Sequence, residues 1–330
     1  MDLSVFFLGT AGSVPSARRG LPAVLVRRGG ERLLFDCGEG TQRQLLRSGG
    51  LVDLESVFIT HFHADHWLGL PGMLKSFALR ERTEPLDVYG PPGLEDLMGV
   101  MRVVYGRLPY ELGIVELEPD ETVDFGDYVV AAVPARHRSA AYGYAILEDP
   151  RPGHLDARVA QELGVTPGPD FGRLQRGESV NGVSPDQVMG PERKGRKVVI
   201  SGDSAPCDAI AIASDHADLL VHEATFAEEE RERAGQTAHS TARQAAELAR
   251  EACVRMLAIT HVSSRYVGGE LREQAREIFP ATEAPRDFDT IAVPFPERGG
   301  PVLERWSDRQ ARERNQTQEQ PARSQAIPAS

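Results

Sequence analysis

Cysteine is scarce in this chain: Cys37, Cys207 and Cys253 are its three. None stands in a CxxC pair and one is left over. That excludes a disulfide framework, fits a reducing compartment and makes a cytoplasmic protein the expectation. Long hydrophobic runs are missing as well. No stretch approaches ~18 uninterrupted apolar residues, so no membrane span is expected. The first residues lack the basic flank of a signal peptide. Positive charge is also short, with Lys+Arg 37 against Asp+Glu 49 and a formal net charge of −12. This balance excludes a general nucleic-acid coat but not a local basic strip. Candidate strips are Arg18-Arg19, Arg27-Arg28, Arg136 with Arg138, and Arg193-Lys194 with Arg196-Lys197.

What the chain does have is histidine in a telling arrangement. His61-Phe62-His63-Ala64-Asp65-His66 follows the apolar run Ser56-Val57-Phe58-Ile59-Thr60. A strand alternates its side chains, so His61 and His63 point the same way, with Asp65 and His66 presented after the turn. Such a group is not buried unless something satisfies it. Neutral imidazole and carboxylate are ligands of zinc, iron and manganese. The pattern recurs, with an apolar run leading each time to a ligand type: to His137, to Asp203, to His222-Glu223 and to His261. Seven of the nine histidines fall in these segments or at His239, leaving His154 and His216 aside. In layered α/β folds the loops at the carboxyl ends of strands converge, so residues this far apart can share one pocket.

The spacing predicts early strands over 5–8, 23–26, 32–36 and 57–60 and helices over 41–47, 73–80 and 93–105. Later strands fall near Tyr128, Tyr142, Lys197, Leu219 and Leu257, with a helix over 240–254. Thr41-x-x-Gln44 and Thr241-x-x-Gln244 both read as capping boxes. This order suits two sheets packed face to face with helices outside. Residues 149–196 break the pattern with six prolines and many glycines; a loop of that length is functional or disordered. Its one aromatic residue is Phe171, so base stacking is not its grip. Residues 307–330, rich in Gln, Arg, Ala and Pro, are expected to be a disordered tail.

The His-x-His-x-Asp-His run with a later His, Asp and His resembles the metallo-β-lactamase superfamily. Further motifs resemble ribonuclease Z, the tRNA 3′-processing endonuclease, in its short form. They are Phe35-Asp36-Cys37-Gly38-Glu39-Gly40-Thr41-Gln42, Gly69-Leu70-Pro71-Gly72, Tyr89-Gly90-Pro91-Pro92-Gly93, His222-Glu223-Ala224-Thr225-Phe226, His239-Ser240-Thr241 and Thr260-His261-Val262-Ser263-Ser264-Arg265-Tyr266. The resemblance runs from about Leu3 to about Arg305. It implies an α/β, four-layer αββα sandwich over residues 1–306, with a tRNA-gripping arm at 149–175. It also implies a homodimer, in which one subunit's arm reaches the tRNA handled by the other.

The same resemblance implies two zinc ions per subunit, one on His61, His63 and His137, the other on Asp65, His66 and His261, bridged by Asp203. The implied reaction is attack of a metal-activated hydroxide on phosphorus. The implied products are a 3′-hydroxyl on tRNA and a 5′-phosphate on the trailer. Asp65 is then the proton acceptor and His239 the donor to the leaving oxygen, partnered by Glu223, with His222 as buried support. Substrate phosphate is assigned to Arg265 and Ser264, to Arg193 and Lys194, and to the turn at Gly40 and Thr41, where a helix start can hold an anion. Two alternatives stay open: a small-molecule hydrolase (lactonase, arylsulfatase or phosphodiesterase) of the same superfamily, and a non-catalytic RNA-binding subunit.

Overall fold

The computed structural model describes residues 1–319. An eight-stranded sheet runs in the order Val302–Glu304, Thr290–Ala292, Leu3–Gly9, Ala23–Arg28, Glu31–Phe35, Ser56–Phe58, Leu86–Gly90, Leu112–Glu116. A seven-stranded sheet runs Thr282–Glu283, Met256–Thr260, Leu219–Glu223, Lys197–Ile200, Tyr142–Glu148, Tyr128–Pro134, Thr122–Asp124. Strand alternation builds the layers. Val5 and Phe7 face inward with Val24, Phe35 and Phe58, and meet Tyr144, Val198, Leu219 and Val221 of the second sheet. Phe6 and Leu8 face outward and pack with Leu45, Met73, Leu74, Phe77 and Met98, from the helices Thr41–Ser48, Leu70–Leu79 and Leu94–Tyr105. Leu220 and Leu257 cover the other outer face with Ala245, Ala249 and Leu271, from Ala242–Glu251 and Gly268–Arg276. This is the expected four-layer sandwich.

Each sheet is parallel where function gathers. Glu31–Phe35, Ser56–Phe58 and Leu86–Gly90 run parallel. So do Lys197–Ile200, Leu219–Glu223 and Met256–Thr260. Their carboxyl ends meet along one edge of the sandwich. Among the described residues no helix is long and apolar enough to cross a membrane.

Three expectations need correction. The arm, expected over 149–175, is not set apart from the rest of the 149–196 excursion, which lies between the strands Tyr142–Glu148 and Lys197–Ile200, with helices Ala157–Glu162 and Pro169–Gln175. The excursion has its own small core of Ala160, Val165, Leu174, Val180, Val183 and Val188. Its composition looked irregular because so short a chain segment buries few apolar groups. The expected tail is helical over Trp306–Glu319. Trp306 packs on Phe288 at a ring distance of 5.5 Å, and its N–H donates to Asp289 at 2.9 Å. The rest of that tail, 320–330, lies outside the described residues. Finally, Thr41-x-x-Gln44 forms no capping box. Gly40 is the cap, in a left-handed conformation with φ 88°, while Gln44 reaches Leu8 O and Asp287. Thr241 and Gln244 do form their box.

Candidate metal centre

The chain delivers its polar side chains just past the strand ends. His61 follows Ser56–Phe58, and Asp65 and His66 ride the short helix Ala64–Trp67. His137 follows Tyr128–Pro134, Asp203 follows Lys197–Ile200, and His261 follows Met256–Thr260. Asp36 (φ 58°) and His261 (φ 56°) both adopt left-handed backbone, which side-chain-bearing residues enter rarely. Close approach explains two glycines. A Cβ on Gly12 would stand 2.7 Å from His261 Nδ1, and one on Gly38 would stand 2.3 Å from Asp65 O.

Donor atoms of His61, His63, His137 and Asp203 lie within 4.8 Å of one another, as do those of Asp65, His66 and His261. Asp203 joins the groups. Its Oδ2 is 3.8 Å from His61 Nε2 and 3.4 Å from His66 Nε2, and its Oδ1 is 3.3 Å from His261 Nε2. Asp65 Oδ2 is 3.6 Å from His66 Nε2 and 3.5 Å from His261 Nε2. Ligands held tetrahedrally at about 2.0–2.1 Å from an ion stand about 3.3–3.4 Å apart, so these spacings suit a cation between them. His61 Nε2 is buried with no hydrogen-bond partner, a state that a metal ion resolves. The His/Asp groups are compatible with a two-metal site.

The nitrogens turned away from these groups are held. His66 Nδ1 donates to Asp36 Oδ2 at 2.7 Å. Thr60 donates its hydroxyl to Asp36 at 3.0 Å and so accepts from His61 Nδ1, also at 3.0 Å. Thr225 donates to Glu223 at 2.6 Å and accepts from His261 Nδ1 at 2.8 Å. His137 Nδ1 donates to Ala238 O at 3.0 Å. Each proton is thus placed on Nδ1, leaving the Nε2 lone pair free to bind a metal. Asp36, Thr60 and Thr225 were not singled out as site residues, although all three lie in or beside recognisable motifs. The Ala238 carbonyl and the Ser13 N–H, which donates to Asp65 Oδ2 at 2.8 Å, left no mark in the sequence because they are backbone groups.

Charge follows the geometry. Burial, with some repulsion from His66, drives the His61 pKa down to about 2 and keeps its imidazole neutral. Burial opposes ionisation of Asp203, but His261, His66 and His61 hold its carboxyl well below the usual range. Burial likewise opposes Asp65, and the hydrogen bond and charge of His261 with the charge of His66 outweigh it. His239 Nδ1 donates to Glu223 Oε1 at 2.8 Å. Burial lowers its pKa, but the Glu223 carboxylate reverses that and raises it to about 9. His61, His66, Asp203 and His261 are buried, whereas His63 is exposed and Asp65, His137 and His239 are partly so. The two candidate proton-transfer groups, Asp65 and His239, therefore sit on the open side.

Other predicted residues are placed differently. His222 is buried, donates Nδ1 to Glu223 O at 2.8 Å, and has Nε2 unpartnered. Thr41 turns both its N–H and its hydroxyl onto Gly38 O, which leaves it no donor for a phosphate; Gly40 is exposed. Arg265 is bound through Nη1 to both oxygens of Glu230, at 3.0 and 2.8 Å; Ser264 is exposed. Arg193 and Lys194 do not flank the centre. They join the second sheet near the Leu147–Lys197 pair, at the opposite end of these strands from the Tyr142–Pro134 pair that leads to His137.

The metallo-beta-lactamase superfamily pattern matches residues 19–242. The chain is 45% identical over 301 residues to ribonuclease Z of Methanosarcina mazei, covering 89% of this chain and 99% of that one. It is 42% identical over 301 residues to ribonuclease Z of Methanosarcina acetivorans, with the same coverage. Human tRNase Z, short form, superposes with a TM-score of 0.66 at 29% identity, over 88% of this chain and 99% of that one. With ligand-bearing strand ends converging as described and near full-length identity at this level, the chain belongs to the ribonuclease Z family of the metallo-beta-lactamase superfamily.

Proposed function

We propose that this protein is a zinc-dependent endoribonuclease that removes the 3′ trailer from precursor tRNA, leaving a tRNA 3′-hydroxyl and a trailer 5′-phosphate. The observation that carries the reading is the paired His/Asp cluster joined through Asp203, in a chain this similar to ribonuclease Z. His61, His63 and His137 would hold one ion and Asp65, His66 and His261 the other, with Asp203 within reach of both groups. A donor set of histidine and aspartate without cysteine suits catalytic zinc. When bound, the metal pair supplies charge to the phosphoryl oxygens and lowers the pKa of a water. Asp65, fixed by the Ser13 N–H, accepts the proton of the attacking water. His239, held protonated by Glu223, gives a proton to the leaving oxygen.

Residues 149–196 act as the tRNA-gripping arm. They root about 20 Å along the sheet from the His137 end, the length of a seven-residue strand. A substrate cut at one end of the sheet and gripped from the other is a folded RNA rather than a small diester. Incubating purified protein with a trailer-bearing precursor and mapping both new ends is expected to show one cut after the discriminator region, with a 3′-hydroxyl upstream. Turnover of small diesters or lactones without precursor cleavage would favour the small-molecule alternative.

The homodimer also belongs to this reading. Val100, Val103 and Val104, on one face of the helix Leu94–Tyr105, are 72%, 88% and 60% exposed. Apolar groups at that spacing form an unpartnered stripe. Val103→Glu is expected to halve the mass seen by light scattering and to raise KM for precursor. A variant of unchanged mass would remove this helix from the interface.

A further inference from the structure

Residues 149–196 leave the body by two roots that pair with each other. Arg151 N–H donates to Arg193 O at 2.7 Å, and Arg193 N–H to Arg151 O at 2.8 Å. Both root side chains converge on one carboxylate. Arg151 donates Nη1 to Glu297 Oε1 at 3.0 Å and Nη2 to Oε2 at 3.1 Å, and Arg193 donates Nη1 to Oε1 at 3.1 Å. Glu297 lies on the turn Pro296–Arg298, between the strands Thr290–Ala292 and Val302–Glu304. Those strands belong to the eight-stranded sheet, whereas the insertion belongs to the other. The contact therefore ties the inserted unit across the sandwich.

Phe295 completes the seat. The Arg151 guanidinium lies 3.4 Å and the Arg196 guanidinium 4.0 Å from its ring centre. Arg196 is itself immobilised. It donates Nε and Nη2 to Glu148 at 2.7 and 2.6 Å and Nη1 to Val293 O at 3.0 Å. Glu148 also accepts from Arg28 at 2.8 Å. Arg196 and Glu148 thus give the joint a buried anchor, above which Glu297 itself is exposed. The Arg151 hydrogen bonds, with a backbone N–H of the turn, lower the Glu297 carboxyl to about 2.

We propose that Glu297 is a positioning residue for substrate: by clamping Arg151 and Arg193 it sets the direction in which the 149–196 unit leaves the body, and so where that unit meets RNA. This rests on reading the unit as the tRNA-gripping arm. The unit has its own core and its own root pairing, so its folding does not depend on Glu297. What Glu297 adds is orientation. A bidentate arginine fork fixes angle as well as distance, and a small error at a hinge becomes a large one at the tip.

The test uses full-length Glu297→Gln and Glu297→Asp beside a variant in which a short glycine-containing turn replaces residues 150–194. Substrates are a trailer-bearing precursor and bis(p-nitrophenyl) phosphate. Glu297→Gln is expected to raise precursor KM about three- to tenfold, with kcat and diester turnover unchanged, because misorientation weakens binding away from the cut. Glu297→Asp should recover most of that loss. If the shortened variant loses precursor affinity while Glu297→Gln keeps it, the positioning role is wrong. A parallel fall in kcat, diester turnover and Tm in Glu297→Gln would also overturn it, since that marks a merely structural contact. If the shortened variant keeps precursor affinity, the arm reading itself fails and this inference falls with it.

Discussion

Asp203→Ala is expected to empty both metal positions at once and abolish hydrolysis. Its two oxygens reach donor atoms in both clusters, His61 and His66 through Oδ2 and His261 through Oδ1. No other described carboxylate touches both groups of three histidines and aspartates in this way. Removing it also takes away a buried carboxylate whose charge would offset that of the bound cations. Metal ions contribute several kcal/mol of transition-state charge stabilisation, so at about 1.4 kcal/mol per tenfold the rate should fall by about 10⁴ or more. Elemental analysis of the purified variant checks the first half and precursor cleavage the second. Asp203→Asn, of equal volume, separates lost ligation from lost packing. Retention of two ions per chain in the alanine variant would show that Asp203 is not the bridge.

His239→Ala should behave in the opposite way, keeping metal while slowing turnover by about 10²–10⁴, the usual worth of a positioned acid. The alternative is concrete, because Asp203, His239 and His261 also form a compact group, and His239 Nδ1 is 3.8 Å from Asp203 Oδ2. That same nitrogen donates to Glu223 at 2.8 Å, so Nε2 is the atom that would either carry the transferred proton or bind metal, and metal content tells the two apart. The sign of the pH effect follows. A donor works when protonated, and Glu223 lifts the His239 pKa from its ordinary 6.5 to about 9. Bound cations nearby pull it back down. Wild-type turnover should therefore decline as pH rises through a value at or below about 9, and the alanine variant should lack that alkaline limb. Metal loss in His239→Ala would make it a ligand instead.

The parts of this protein that local order controls were legible in its sequence. Closeness in sequence just past a strand was enough to group His61, His63, Asp65 and His66, although the strand ends at Phe58 and alternation does not reach them. Apolar runs ending at His137, Asp203 and His261 marked the other strand ends. The 241–244 capping box was readable because its hydrogen bonds close within four residues. The matching 41–44 pattern misled because Gln44 found distant partners, Leu8 O and Asp287. Arg265 and Arg193 read as free phosphate forks, yet Glu230 and Glu297 had already engaged them. The folded core of 149–196 and the helix at 306–319 were hidden for a related reason: their few apolar groups find partners only once the chain is compact.

The sequence by itself determined which side chains stand at strand ends and what chemistry their type allows, since alternation and residue identity are properties of the local chain. Only the tertiary structure decided which of them meet and which nitrogen each imidazole presents. It alone decided which arginines are neutralised and at which end of the sheet the inserted unit roots. Those depend on contacts across tens to hundreds of residues, where a charge or a hydrogen-bond donor takes whichever partner the packing of two sheets brings within about 3 Å.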